Sequence, residues 1–135
     1  MNSEYITKNP DETIQLGIKF AKKLKKGDIV CITGELGVGK TVFVKGIAKG
    51  LGIKERIISP SYILVREYSE KKFYHIDLYR IGPKDFIQSG LEQYLSDENI
   101  CVIEWADRAK SIITGKCIKV KIELIDKNKR KIIFG

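Results

Sequence analysis

Eight consecutive residues, 34–41, read GELGVGKT and match the pattern G-x-x-x-x-G-K-[ST] of loops that bind nucleotide phosphates. Glycines in this pattern let the backbone curl so that successive N–H groups point at phosphate oxygens. Lys40 would bring a positive charge to the β- and γ-phosphates, and the Thr41 hydroxyl is suited to bind Mg²⁺. A strand pattern precedes the loop and a helical pattern follows it, as the motif requires. The sequence therefore predicts a site for a nucleoside triphosphate.

Hydrolysis needs a second acidic group, which completes the magnesium shell, and a means of aligning water. The apolar run 100–103 is followed directly by Glu104, which is typical of a buried strand that ends in a carboxylate. Glu104 is therefore a candidate ligand of Mg²⁺, either directly or through water. The alternative interpretation is a glutamate that merely ends a strand in solvent.

Asp77 is the other candidate acid. Alternation along a strand puts His75, Asp77 and Tyr79 on one face and aliphatic residues on the other. This polar face could line an active site in which Asp77 orients water or a metal-bound water. It could equally be the half-exposed face of a hairpin, and the pattern leaves both interpretations open.

Two more positions have a functional and a structural interpretation. Ser61, in Ser59-Pro60-Ser61-Tyr62, lies just after the helix that follows the loop. Nucleotide switches place a hydroxyl-bearing loop there to sense the γ-phosphate, but an ordinary proline turn fits as well. Trp105, next to Glu104, is either a core residue or a rigid contact surface, and the core is favoured.

Hydrophobic periodicity predicts interleaved helices and strands. Helices are predicted over 11–25 and about 40–51, with one or two short helices over 83–97 and a helical or irregular piece over 105–113. Strands are predicted over 29–33, 62–68, 73–79, 100–103, 118–124 and 132–134. The second and third strands, and the last two, form apparent hairpins. The expected fold is an α/β single P-loop NTPase domain over residues 1–135, with a mixed parallel and antiparallel central sheet and flanking helices.

The composition indicates an ordinary globular protein with a basic charge. In 135 residues there are 25 Lys and Arg against 17 Asp and Glu, a net charge of +8. This charge attracts polyanions, but lysines that solvate the end of the first helix explain it better, since no RNA-binding motif is present. The three cysteines are widely spaced and lie in apolar runs, which favours buried thiols over a zinc site. Without an apolar span or a secretory pattern, we expect a cytoplasmic protein.

Four motifs in this order, GELGVGKT, SPSY-x-LV-x-EY, H-x-DLYR and IEWADR, make the chain similar to the TsaE (YjeE) family. The resemblance covers the chain throughout its length. It implies a Mg²⁺-dependent ATPase of low intrinsic rate that is required for threonylcarbamoyladenosine in tRNA, beside the anticodon. The implied partner is a TsaB–TsaD type transferase complex, through which tRNA would be reached indirectly, and the implied cofactors are ATP and Mg²⁺.

Residue roles follow from the same resemblance. The phosphates would be wrapped by Leu36, Gly37, Val38, Gly39, Lys40 and Thr41. Thr41 and Glu104 would hold Mg²⁺, and Lys40, Asp77 and Glu104 would be the catalytic residues. The resemblance also places Thr13 near the nucleotide base, Arg130 against the nucleotide and Ser61 in a switch-like loop.

Three other functions use a phosphate loop. A small-molecule or nucleotide kinase would need an acceptor pocket and a lid with arginines, for which 135 residues leave little room. A GTPase is disfavoured because no Asn-Lys-x-Asp motif is present. A module that binds ATP without turnover is disfavoured by Glu104 and Asp77.

Overall fold

The computed structural model describes residues 3–35, 38–54, 57, 65–68, 73–78, 90–106 and 117–135. Within these ranges the strands are β1 (Ser3–Thr7), β2 (Ile29–Thr33), β3 (Val65–Tyr68), β4 (Phe73–Asp77), β5 (Ile100–Glu104), β6 (Cys117–Leu124) and β7 (Arg130–Phe134). The helices are α1 (Pro10–Ala21) and α2 (Lys40–Gly50), and a short 3₁₀ helix covers Leu91–Tyr94.

All the described strands belong to one sheet, in the order β1-β7-β6-β2-β5-β4-β3. The four central strands β6, β2, β5 and β4 are parallel. The outer pairs, β3 with β4, β6 with β7 and β7 with β1, are antiparallel. The predicted α/β fold with a mixed sheet and two hairpins is therefore confirmed.

The parallel register places two acidic residues side by side at one end of the sheet. Asp77 is the partner of Glu104 in β4 and β5, and Glu104 is also the partner of Ile32 in β2. Ile32 lies two residues before Gly34, where the phosphate loop begins. The carboxyl ends of parallel strands are where ligands bind in open α/β sheets, so the fold brings the predicted site residues to the usual place.

The helices cover one face of the sheet and form the main hydrophobic core. Core residues come from α2, the central strands and the last two strands: Val30, Ile32, Phe43, Val44, Ile47, Phe73, Val102, Val120, Ile122 and Ile132. A smaller cluster on the other face contains Cys31, Ile76, Leu78, Ile103 and Ala106. Because the central strands are buried on both faces, β5 is buried at every position, as its continuous apolar run predicted.

Glycines let α1 approach α2 closely. A Cβ at Gly50 would lie 2.7 Å from the Ile18 carbonyl oxygen. A Cβ at Gly46 would lie 3.0 Å from the Gly17 Cα and closer still to the Ile14 carbonyl oxygen. Backbone atoms cannot yield as a flexible side chain does, so only glycine fits this crossing without a shift of one helix.

Several boundaries differ from the prediction. The first helix ends at Ala21, not Lys25, because the chain turns: the Asp28 carboxylate accepts the Lys25 N–H (2.8 Å), and Gly27 has a positive φ of 94°. The four lysines after Ala21 therefore solvate a turn instead of a last helical turn. α2 ends as predicted, with Gly52 at a φ of 81° just after it.

Strand β1 was not predicted. It has only five residues and pairs with the distant β7, so its alternation of apolar and polar residues is too short to indicate a strand. The predictions for 58–64, 79–89 and 107–113 lie outside the described residues. No helix in the described part of the chain is long and apolar enough to span a membrane.

Candidate functional site

The described ends of the phosphate loop are two glycines with positive φ. Gly34 has a φ of 149°, and a Cβ there would lie 2.6 Å from the Ile122 carbonyl oxygen. Gly39 has a φ of 102° and forms the N-cap of α2. Both conformations favour glycine, so the motif glycines at these positions serve the backbone turns that the sequence predicted. Leu36 and Gly37 lie outside the described residues.

Lys40, the first residue of α2, is buried beside the loop. Its Nζ donates hydrogen bonds to the carbonyl oxygens of Gly34 (2.5 Å) and Glu35 (2.9 Å). It also lies 4.1 Å from the centroid of the Trp105 ring, within cation–π range. The structure therefore places a buried ammonium group against the loop backbone.

The N-terminus of α2 has no side-chain cap, because Gly39 occupies the cap position. The N-terminus of α1 is different, since the Asn9 side chain accepts the Glu12 N–H at 2.9 Å. Uncapped N–H groups and the positive end of the helix dipole favour an anion. With Lys40 next to it, this helix end is suited to bind phosphate, and Thr41 is its second residue.

Trp105 has a left-handed backbone, with a φ of 58°, and is the one non-glycine residue with positive φ among the described residues. Its N–H donates to the Ile32 carbonyl oxygen at the end of β2 (3.1 Å). The side chain is partly buried and packs against the smaller core cluster, as expected of a core residue, and its ring also lies over Lys40. Its position directly after Glu104 is the only sequence signal for this role. Strained backbone of this kind concentrates at functional sites.

Glu104 is almost completely buried at the end of β5. Its Oε2 contacts Nε2 of His75, a fully buried residue on the neighbouring strand β4. The interpretation that Glu104 ends a strand in solvent is therefore wrong. The interpretation of 75–79 as the half-exposed face of a hairpin is wrong as well, because His75 and Asp77 are both buried.

Asp77 lies next to Glu104 across two parallel strands. It is the direct register partner of Glu104, and the Leu78 N–H, one residue on, donates to the Glu104 carbonyl oxygen (3.0 Å). Register partners project from the same face of a sheet. The two carboxylates and His75 thus share the face that packs against the helices.

A cavity of about 60 Å³ adjoins the other side of the loop. Its lining comes from the start of α1, the start of α2 and the turn before β7: Asn9, Pro10, Thr13, Gly39, Val42, Lys127, Asn128 and Arg130. Thr13 is buried, and its hydroxyl contacts the Thr7 hydroxyl at 2.7 Å. The structure therefore brings Thr13 and Arg130, which are far apart in sequence, to the loop residue Gly39.

Arg130 connects the last strand to the phosphate loop. Its Nε donates to the Val38 carbonyl oxygen (2.6 Å), and its NH1 donates to the Asp126 carbonyl oxygen (3.1 Å). The Asp126 carboxylate in turn accepts the N–H groups of Asn128 and Lys129, which lowers the pKa of Asp126. These bonds hold the turn that carries Arg130.

Sequence reasoning missed the contact between His75 and Glu104, and it missed Asn9, Val42 and Asn128 in the cavity wall. The alternating pattern, which placed His75 and Asp77 on one face of a strand, was a partial indication that His75 belongs to the site. The cavity residues had none, because three distant segments form the wall. Ser61 lies outside the described residues.

The acidic and hydroxyl groups fit a magnesium ion that is bound together with phosphates. Mg²⁺ prefers oxygen ligands and is usually held by one or two carboxylates plus substrate phosphates. Glu104 and Thr41 offer such oxygens near the uncapped end of α2. Among the described residues no group of three or more His, Cys, Asp or Glu side chains could hold a metal without other ligands.

Comparisons with known proteins identify the family to which this chain is similar. Residues 7–132 match the family model "Threonylcarbamoyl adenosine biosynthesis protein TsaE". A Rickettsia felis protein named for tRNA threonylcarbamoyladenosine biosynthesis, TsaE, is 40% identical over 93% of this chain and 75% of its own length. Proteins of the same name from Bacillus subtilis and Treponema pallidum are 33% identical, over 95% and 94% of this chain and 82% and 96% of their own lengths. The crystal structure of Bacillus subtilis YdiB superposes with a TM-score of 0.85 at 30% identity, covering 99% of this chain and 84% of that one.

Proposed function

Because this chain belongs to the TsaE family, we propose that it is a Mg²⁺-dependent ATP-binding and ATP-hydrolysing subunit required for threonylcarbamoyladenosine in tRNA, beside the anticodon. The observation that carries this proposal is the arrangement at one end of the sheet. Glu104 and Asp77 are register partners there, and Lys40, at the uncapped start of α2, lies against the ring of Trp105, the residue after Glu104. Lys40, Glu104 and Asp77 each supply a different part of the chemistry of phosphoryl transfer.

Phosphate binding is assigned to the loop and the start of α2. The Lys40 ammonium already lies against the carbonyl oxygens of Gly34 and Glu35, so it is held at the loop and only its hydrogen-bond partners need to change when phosphate enters. Main-chain N–H groups of the loop and of α2 would bind the phosphate oxygens. A triphosphate gains both hydrogen bonds and charge neutralisation at this position.

Thr41 and Glu104 would hold the magnesium ion, which neutralises charge on the phosphates when it is bound. Asp77, the register partner of Glu104, would accept a hydrogen bond from the attacking water and orient it. Both carboxylates are buried, so this chemistry would take place away from bulk water. Electrostatic interactions are stronger in the protein interior than in water.

The nucleoside is assigned to the cavity beside Gly39. Its wall contains Thr13, for which family resemblance implies a place near the base, and Arg130, which carries a positive charge next to the loop. Adenine as the base rests on the family. The cavity is therefore the place to test the preference for ATP over GTP.

The partner is assigned by family: a TsaB–TsaD type transferase complex, with tRNA contacted through that complex. ATP hydrolysis would reset the complex between turnovers and would not perform the transfer itself. This role predicts slow turnover by the isolated chain and faster turnover in the complex.

The experiment uses the single tryptophan of the chain, Trp105, whose ring lies over Lys40. Binding of ATP should change its fluorescence, because phosphate draws the ammonium group away from the ring. Calorimetry would measure the affinity for ATP and GTP, with and without Mg²⁺. ATP turnover would then be measured alone, with the two partner proteins, and with tRNA. The proposal fails if calorimetry shows no ATP binding, or if the partners leave turnover unchanged. Transfer of phosphate to a small acceptor would instead identify a kinase.

A further inference from the structure

We propose that His75 is a positioning residue for Glu104: its imidazole fixes one carboxylate oxygen and leaves the other for the magnesium ion. This inference rests on the proposed function, since it assigns Glu104 to the metal. His75 would touch neither nucleotide nor ion and would act only through the carboxylate.

The first observation is the contact itself. Nε2 of His75 lies against Oε2 of Glu104, and both side chains are almost entirely out of water. A carboxylate only accepts hydrogen bonds, so the ring nitrogen donates. A buried carboxylate held by one donor has a fixed orientation, whereas an unheld one would rotate about its last bond. Metal sites use the same arrangement, in which outer groups orient the groups that bind the ion.

The second observation is the position of the ring in the core. His75 is completely buried on the helix-facing side of β4, where Phe73 occupies the equivalent position two residues earlier. An apolar side chain at 75 would fill such a position without burying polar nitrogen atoms. Packing alone thus gives no reason for an imidazole here, and the carboxylate does.

The third observation concerns the other ring nitrogen. Nδ1 of His75 is buried and has no hydrogen-bond partner within the described residues. The contact with Glu104 is therefore the one hydrogen bond that the imidazole makes within the described residues. Losing it would leave both ring nitrogens buried without a partner, which costs free energy.

The test separates metal binding from nucleotide binding. His75→Leu removes the donor, and His75→Gln returns an N–H at nearly the same distance from the backbone. For each variant we would measure ATP affinity without metal by calorimetry and the affinity of the ATP complex for Mn²⁺ by electron paramagnetic resonance. Phe73→Leu is the matched control, because it disturbs the same strand and face without touching the carboxylate.

We expect His75→Leu to weaken Mn²⁺ binding by about 10- to 100-fold, the usual effect of losing an outer-sphere partner. Metal-free ATP affinity should stay unchanged, and His75→Gln should recover most of the Mn²⁺ affinity. Phe73→Leu should lower stability but leave Mn²⁺ affinity as in the wild type. If His75→Leu does not fold, His75→Phe, which is closer in volume to the native ring, takes its place.

The inference is wrong if the leucine variant binds Mn²⁺ as the wild type does, or if the glutamine variant is as weak as the leucine variant. It is also wrong if Phe73→Leu weakens Mn²⁺ binding as much as His75→Leu does, since the effect would then come from strand packing. A wild-type protein that does not bind ATP at all would remove the proposed function first, and that result is seen before any variant is made.

Discussion

Lys40 and Glu104 are both nearly buried at the site, but the groups that contact them differ in kind. Lys40 is surrounded by backbone carbonyl oxygens and an indole ring, while Glu104 contacts an imidazole. Carbonyl oxygens and a ring face are weaker partners for an ammonium group than phosphate is. The arrangement holds Lys40 in place and still lets it transfer its hydrogen bonds to an incoming triphosphate.

Lys40→Ala should weaken ATP binding by about 10- to 100-fold, because a hydrogen bond to a charged group contributes roughly 1.5–3 kcal/mol. Calorimetry without Mg²⁺ would measure this loss directly. Lys45→Ala is the matched control, since Lys45 is an exposed lysine in the same helix. Equal ATP affinity in the two variants would contradict the role given to Lys40.

Glu104→Gln should keep metal-free ATP binding and lose most Mg²⁺-dependent hydrolysis. The amide preserves the shape and can still accept from His75, but it lacks the charge that holds the ion. A loss of roughly 100-fold or more in turnover is expected when several kcal/mol of charge stabilisation are removed. Turnover would be followed by phosphate release in the presence of the partner proteins. Full activity of this variant would move the metal role to Asp77.

The close packing of α1 against α2 fixes the positions of the elements that carry the site residues. α2 begins at the phosphate loop, and α1 begins at the cavity that contains Thr13. Because Gly46 and Gly50 let the two backbones approach closely, the distance between loop and cavity depends on residues that contact neither. Packing in the helix layer thus sets the geometry of the site.

Gly46→Ala tests this dependence. The new methyl group would overlap backbone atoms of α1, and overpacking of this kind costs about 1–3 kcal/mol, although alanine returns up to about 1 kcal/mol through helix propensity. We expect a lower urea midpoint together with weaker ATP binding. Lys49→Ala, at an exposed position of the same helix, should leave both unchanged. A midpoint equal to that of the wild type would show that the helices separate without cost.

Two of the three thiols of the molecule are buried within its one sheet. Burial raises the pKa of Cys101 to about 12. Burial, reinforced by the neighbouring Cys117 thiol, also raises the pKa of Cys31. Cys31 and Cys101 are buried on central strands, so only unfolding of the sheet would expose them. The expectation of buried thiols holds for these two, whereas Cys117 is half-buried.

Alkaline pH should therefore destabilise the fold in part through Cys101. Between the ordinary value of 9.0 and about 12, the folded chain keeps a thiol proton that the unfolded chain has lost. The free energy of unfolding should thus fall above about pH 9, by up to about 1.4 kcal/mol per pH unit for this thiol. Below pH 9 this contribution is fully present.

Urea denaturation of the wild type and Cys101→Ala at pH 7 and pH 10 would isolate the thiol contribution. The wild type should lose more stability than the variant over this interval. If both lose the same amount, other groups account for the alkaline effect. A thiol reagent applied at pH 8 should also react with Cys101 only after denaturation, since the thiolate is the reactive form.

Local patterns in the chain were enough to predict the phosphate loop, both helices and the mixed α/β sheet. These features depend on residues close in sequence: a glycine that turns the backbone, a run of apolar side chains, or apolar residues that repeat every 3.6 positions. The same patterns identified Glu104, Asp77 and Lys40 as candidates, because each directly follows or belongs to such an element.

Long-range pairing added what no local pattern contains. The register of β4 and β5 brought His75 to Glu104, and the left-handed turn after β5 brought Trp105 over Lys40. Strand β1 and the wall around Thr13 likewise join segments from the two ends of the chain. Partners and burial at these positions depend on which strands pair and in what register, and that choice minimises the free energy of the whole sheet and not that of any one segment.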